Sequence, residues 1–272
     1  MGVASEPAAG PAREEPVQLR RLLPVGEPAT ALQIADELEA AGARQPPPTR
    51  PYVIVNMIST ADGRASIGGR SGPLGGPADH ELFHALRTVV DAVMVGAGTV
   101  RTERYGRIIR EEWRRRLRRE RGRDEEALAC VVSGRMALPA DLPLLADPLA
   151  RVAIITASQA SLTGALAQLE YVRAERHGLL DLPRALAELH ERFEVRSLLC
   201  EGGPHLNAHL LAAGLVDELL LTLSPKLAGG DPMSGESLRI IAGPELDAPV
   251  ALQLRAVLEH GSQLFLRYGV CA

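Results

Sequence analysis

Four short segments carry residues whose types and spacing could do chemistry. The first is His80-Glu81-Leu82-Phe83-His84, which fits H-E-x-x-H. On a helix that spacing sets two imidazoles on one side as zinc ligands, with the glutamate as general base. Glu103 would be the third ligand of such a centre. The neighbours argue against a metal. Leu82, Ala85, Leu86 and Val89 form an apolar stripe on the same helix, and Arg87 would set a guanidinium beside the ion. The pair is read as a cleft-lining polar face, and no metal is expected.

The second segment is Val95-Gly96-Ala97-Gly98-Thr99-Val100-Arg101. It follows a buried apolar strand and begins like a dinucleotide fingerprint, but Arg101 stands where that pattern has its third glycine. A tight strand-to-helix turn against a nucleotide fits better than a Rossmann domain. The third is Glu201-Gly202-Gly203-Pro204-His205-Leu206. Two glycines let a ligand approach the backbone, and Pro204 opens a helix whose free N–H groups suit a pyrophosphate. The fourth, Asn56 to Arg64, gathers polar residues at a strand exit and leads into a loop with glycines at 63, 68, 69, 72, 75 and 76. That loop reads as a mobile cover over a site.

These segments need a frame. The expected elements are a helix Thr30–Gly42, a stiff linker at Pro46–Pro48 and strand Tyr52–Met57, then helix Pro77–Val89 and strand Ala92–Val95. Nine arginines and six acids in residues 107–126 suggest a solvated helix of about three turns with Glu111–Arg115 and Glu112–Arg116 pairs. Strands Leu128–Val132 and Val152–Thr156 follow, then a helix Ser158–Leu169, a short strand Tyr171–Arg173 and helix Asp181–Phe193. Strand Ser197–Glu201, helix Pro204–Ala213, strand Glu218–Pro225 and a hairpin from Val250–Leu258 and Gln263–Val270 complete the chain. Alternating strands and helices imply an α/β fold with a mixed, mostly parallel sheet. Residues 1–16 are expected to be a disordered tail, 17–50 a helical extension and linker, and 51–272 the main domain.

The composition constrains partners. The chain has 272 residues, 46% apolar and 24% charged, with a net charge of −4. That balance excludes a basic nucleic-acid binder, and no apolar run is long enough to span a membrane. Lys226 is the only lysine against 29 arginines, which fits a GC-rich genome. Three cysteines (Cys130, Cys200, Cys271) without C-x-x-C spacing point to a reducing cytosol. The start of the chain has no apolar core of a signal peptide. Eight aromatic residues leave few rings for stacking.

Together and in this order, PYVIVNMISTADGRASIGGRSG, the helix ending Ala85-Leu86-Arg87, VDAVMVGAGTVRTE and CEGGPHLNAHLLAAGLVDELLLTLSPKLAGGD resemble the reductase domain of riboflavin biosynthesis. This is the C-terminal half of the bifunctional deaminase-reductase, with a fold like dihydrofolate reductase. The resemblance implies a three-layer α/β domain and NADPH-dependent reduction of a ribosyl group to ribityl. The substrate would be 5-amino-6-(5-phosphoribosylamino)uracil or its deaminated pyrimidine form. A cytosolic homodimer is also implied.

Residue by residue, the resemblance implies cofactor contacts at Thr99, Glu103 (more often Asp in the family), Ser133 and Gly202 to Leu206, that is Gly202, Gly203, Pro204, His205 and Leu206. Arg135 beside Ser133 is a physical addition, since a guanidinium suits a 2′-phosphate. The nicotinamide would lie near Ile58 and Gly96. Ser71, Arg87 and Glu201 match substrate contacts, with Arg87 opposite the 5-phosphate. Glu201 and Asp62 are the candidate proton donors. The family's deaminase zinc motif is missing, which implies a stand-alone reductase. Pro73 stands where an aromatic often covers the nicotinamide. A pteridine reductase, a nucleotide-binding paralogue without turnover and a zinc peptidase are the competing readings.

Overall fold

The computed structural model describes residues 16–230 and 238–271. The expected tail therefore lies almost wholly outside the described residues. Eleven strands form one mixed sheet. In chain order they are β1 Gln18–Leu23, β2 Val25–Thr30, β3 Tyr52–Thr60, β4 Ala92–Gly96, β5 Leu128–Val132, β6 Arg151–Thr156 and β7 Gln168–Arg173. A small separate hairpin follows, β8 Glu175–Arg176 and β9 Leu179–Leu180. Then come β10 Ser197–Cys200, β11 Glu218–Ser224, β12 Leu252–His260 and β13 Gln263–Val270. The main sheet runs β2-β1-β12-β13-β11-β3-β10-β4-β5-β6-β7. From β11 to β7 all neighbours are parallel. The opposite edge is antiparallel.

The parallel strands are apolar throughout because both faces are covered. Within β4, Val93 and Val95 enter one core and Ala92 and Met94 the other. The first core takes helices α1 (Ala31–Arg44) and α2 (Pro77–Val89). The second takes α5 (Leu182–Arg192) and α6 (Pro204–Ala212). Two short helices complete the set, α3 (Ala97–Thr102) and α4 (Glu112–Glu120). The result is the expected three-layer α/β arrangement. Local signals act as read. Thr30 and Gln33 form a capping box on α1, Asp181 caps α5, and Gly261 and Ser262, both at positive φ, turn the β12–β13 hairpin.

Three expectations need correction. Residues 158–167 form no helix: Gly164 adopts φ +80°, Ser158 Oγ accepts from Ala160 N in a local turn, and Leu166 and Ala167 N–H groups bond to Leu145 O. The strand that follows starts at Gln168 rather than Tyr171. Residues 17–30, read without strands, pair as β1 and β2 and extend the sheet beside β12. The arginine-rich helix is shorter than expected and not merely solvated. Arg114 and Arg118 are buried, Arg114 and Arg115 pair with Glu111 and Glu112 at i−3 rather than i−4, and Arg118 Nη1 donates to Thr88 O (3.0 Å) and Val90 O (2.7 Å). That guanidinium caps the C-terminus of α2, where free carbonyls favour a cation. Among the described residues, no helix is long and apolar enough to cross a membrane.

Candidate active site

The C-terminal ends of β3, β4 and β10 meet at one cleft, where open parallel sheets bind ligands. Gly96 ends β4 and Gly202–Gly203, joined by a cis peptide, follow β10. The two turns touch: Gly96 N donates to Gly202 O at 2.8 Å. A Cβ on Gly203 would stand 2.7 Å from Thr99 Oγ1, so a side chain there would force Thr99 to shift. Pro204 then starts α6 and leaves its first-turn N–H groups at the cleft.

Glu201 stands between these turns. Its backbone N–H bonds to Met94 O at 2.9 Å. Its carboxylate is gripped by Arg87: Nε to Oε1 at 2.7 Å and Nη2 to Oε2 at 2.8 Å. Tyr105 Oη donates to Oε2 at 2.7 Å. The Arg87 guanidinium lies over the Phe83 ring, 4.0 Å from its centroid. Burial opposes the charge of Arg87, but Glu201 and Tyr105 together raise its pKa. Burial, then Glu201, lifts the Tyr105 phenol well above its ordinary range, so it stays a donor. Each carboxylate oxygen has two acceptor positions. Oε2 is filled by two donors; Oε1 keeps one acceptor position open.

Two cavities share Glu201, Thr99, Glu103, Ser71 and Met57 as walls. The first, about 290 Å³, adds Asn56, Ile58, Asp79, His80, His84, Arg87, Tyr105 and Arg110. The second, about 380 Å³, adds Gly96, Gly98, Gly203, Pro204, His205 and Leu206. A groove of about 910 Å³ runs on past Ser133, Arg135 and Arg176. Glu103 joins α3 to the glycine-rich loop, accepting from Ser71 N (2.8 Å) and Ser71 Oγ (3.0 Å).

The fold thus gathers almost every residue singled out by the sequence. Two need comment. Asp62 lines none of these cavities. Its carboxylate accepts from Thr60 Oγ1, Ala228 N and Gly229 N, and those bonds, Thr60 first, lower its pKa to about 2. It holds a turn and keeps no proton to give. Arg87 is taken up by Glu201 rather than left open toward a ligand anion. Of the H-E-x-x-H residues, His80 and His84 line the first cavity, while Glu81 pairs with Arg114 at 2.7 Å. Among the described residues, no group of three His, Cys, Asp or Glu side chains is placed to hold a metal ion.

Sequence reasoning missed Arg110, Asp79 and Tyr105. Arg110 hides in an arginine-rich run, yet it is exposed at the first cavity with no side-chain partner among the described residues. Asp79 looks like an ordinary first-turn acid of α2. Tyr105 had no motif around it.

The comparisons agree with this geometry. Residues 51–266 match the model of the RibD C-terminal domain. The chain is 28% identical over 229 residues to 2,5-diamino-6-ribosylamino-4(3H)-pyrimidinone 5′-phosphate reductase of Methanothermobacter thermautotrophicus, covering 81% of this chain and 99% of that one. It is 27% identical over 234 residues to the reductase of the same name from Aquifex aeolicus, covering 81% and 97%. Among solved structures, a pyrimidine reductase-like protein from Corynebacterium diphtheriae superposes with a TM-score of 0.71 at 23% identity, covering 90% of this chain and all of that one. The Saccharomyces cerevisiae riboflavin biosynthesis reductase gives 0.63 at 18% identity, covering 88% and 98%. With the model spanning the cleft and every element that builds it, the chain belongs to the RibD C-terminal domain family.

Proposed function

We propose that this protein reduces the ribosyl group of a 6-(5-phosphoribosylamino)pyrimidine to ribityl, using NADPH, in riboflavin biosynthesis. The observation that carries the reading is Glu201, which borders both cavities with one acceptor position open. The pyrimidine and its ribose would occupy the first cavity; the cofactor would run along the second cavity and the groove.

The residues present fit a dinucleotide phosphate. The Gly203 approach leaves room that a Cβ would fill. The first-turn N–H groups of α6 suit a pyrophosphate. Ser133 and Arg135, with Arg101 and Arg176 in the same groove, suit an adenosine phosphate. When bound, NADPH supplies the hydride.

The chain's own residues position and charge the site. The ribosylamine opens to its imine, C1 gains a hydride, the C=N electron pair moves to nitrogen and nitrogen takes a proton. Glu201 receives a hydrogen bond from the opened sugar or the amino nitrogen at the junction of the cavities. Arg87 and Tyr105 fix that carboxylate, so no reorganisation is needed as charge develops. Arg110 takes the 5-phosphate, because it is the unpaired guanidinium of the first cavity. Exposed Leu22 and Leu23 on β1 and Leu252 and Leu254 on the neighbouring β12 support a homodimer, and the enzyme is assigned to the cytosol.

Steady-state kinetics of Arg110→Ala test the assignment. KM for the phosphorylated pyrimidine rises about 100-fold while NADPH affinity holds, as expected for one charge-assisted anion contact. An unchanged KM would remove Arg110 from the phosphate site.

A further inference from the structure

The reduction needs a proton as well as a hydride. The imine nitrogen carries a lone pair and no hydrogen, so a donor must stand opposite it. Few walls of the first cavity can fill that role. Glu201 is taken up by Arg87 and accepts from Tyr105, so it serves as an acceptor. Tyr105 is held well above its ordinary range and donates its hydroxyl to Glu201. Glu103 accepts from the N–H and the hydroxyl of Ser71. Asp79 bonds to Thr222 and lies eight residues before Arg87 on α2, about 12 Å along the helix from the Glu201 clasp. His80, seven residues before Arg87, is exposed beside the Gly75 turn, about 10 Å along the helix from that clasp. His84 is placed differently. It stands one turn before Arg87, half-buried on the cavity wall. Its ring meets Phe83 edge-on, with centroids 5.5 Å apart. Neither ring nitrogen has a hydrogen-bond partner among the described residues. The charges that face it are Arg87 on its own helix, Glu201 after β10, and Glu111 and Arg114 at the start of α4.

We infer that His84 is the general acid of the reaction, its imidazolium donating a proton to the bridging nitrogen as C1 gains the hydride. This rests on the reductase reading above. C1 takes the hydride from NADPH, which leaves as NADP⁺, and a C1–H bond forms. The C=N electron pair moves to nitrogen, the imidazolium N–H bond breaks and the amine N–H bond forms. The ribityl amine departs, and the neutral imidazole regains its proton from water. Glu201 holds the sugar from the acceptor side while His84 meets the lone pair from the donor side, so the two groups divide the work. Burial, then the Arg87 charge, lowers the pKa of His84; Arg114 adds to them, and Glu111 and Glu201 oppose. The imidazolium is thus a stronger acid than free histidine, and its share of the population falls as pH rises.

The test follows single-turnover oxidation of NADPH across the range in which histidines titrate, at saturating 5-amino-6-(5-phosphoribosylamino)uracil or its 2-amino counterpart. In the unaltered protein the rate falls about tenfold per pH unit above the His84 pKa. That kinetic pKa matches the one read by NMR from the imidazole C2–H signal, assigned by its loss in His84→Asn. His84→Asn slows the step about 100-fold and flattens the pH limb, with NADPH affinity and thermal melting unchanged. Added imidazole restores part of the rate to His84→Ala, which a histidine needed only for packing would not allow. A near-normal rate in His84→Asn, or the same pH limb in both proteins, overturns the inference and leaves the reductase reading intact. A kinetic pKa that departs from the NMR value overturns it in the unaltered protein alone, whether or not the variants fold. No oxidation of NADPH by the unaltered protein with either pyrimidine overturns the reductase reading, and the inference with it.

Discussion

Glu201, Arg87 and Tyr105 behave as one unit. An ion pair this enclosed adds little net stability, but removing one partner strands the other charge. Arg87→Met is expected to cost about 3–5 kcal/mol by denaturant titration. Tyr105→Phe removes one neutral donor and costs about 1 kcal/mol. The second change is the sharper probe. It lowers kcat severalfold and leaves NADPH affinity unchanged if Tyr105 fixes the Glu201 carboxylate in the role proposed for it. Unchanged kcat would reduce it to packing. Residues announced by a turn or a strand end, such as Glu201, Gly203 and Thr99, were legible because glycine and proline mark backbone approach. Arg110 and Asp79 were not. An arginine among nine, or an acid in a helix's first turn, has the same local pattern whether it faces water or a cavity.

Elements hold these residues through contacts between distant segments. The arginine-rich stretch shows this best. Arg118 caps α2, Arg114 reaches Glu81 and Thr88, and Arg121 and Arg123 tie to Asp36 and Glu39 on α1. Burial lowers the pKa of Arg118 to about 10, and it remains charged at neutral pH. The segment clamps the helix that carries Arg87. Arg118→Met leaves the α2 carbonyls without a donor and is expected to cost about 2–3 kcal/mol. Amide exchange at Val89 and Val90 accelerates accordingly. Unchanged exchange there would show that α2 ends without this cap. The misreadings at this scale share a cause. Ser158 and the alanines that follow have helical propensity, but Gly164 and the bonds to Leu145 decide otherwise. The β1–β2 pair contains Pro24, Gly26 and Pro28 and gains its place only from β12, more than 200 residues away.

Across the whole molecule the long-range order was legible because strand and helix alternate with clear apolar periods. The antiparallel extension at the N-terminal edge was not, since its strands are short, mostly exposed and without regular alternation. Global stability carries one clear pH signature. Burial pushes the Glu126 carboxyl up to about 7, against the Ile109 N–H and the Arg107 charge. A raised folded-state pKa means that the native state binds the proton more tightly than the unfolded chain does. Stability from this group is full near pH 4.5 and is lost as pH climbs through 7. Glu126→Gln should therefore raise stability at pH 8 by about 2 kcal/mol, with little change at pH 4.5. Equal effects at both pH values would contradict the linkage.

The central claim is the reaction itself. The most direct measurement is the loss of NADPH absorbance at 340 nm on adding the phosphoribosylaminopyrimidine, with identification of the ribityl product and dihydrofolate as the comparison. The account predicts rapid, stoichiometric oxidation with the pyrimidine and at least 100-fold lower kcat/KM with dihydrofolate. Oxidation with dihydrofolate alone, or with neither compound, would contradict it.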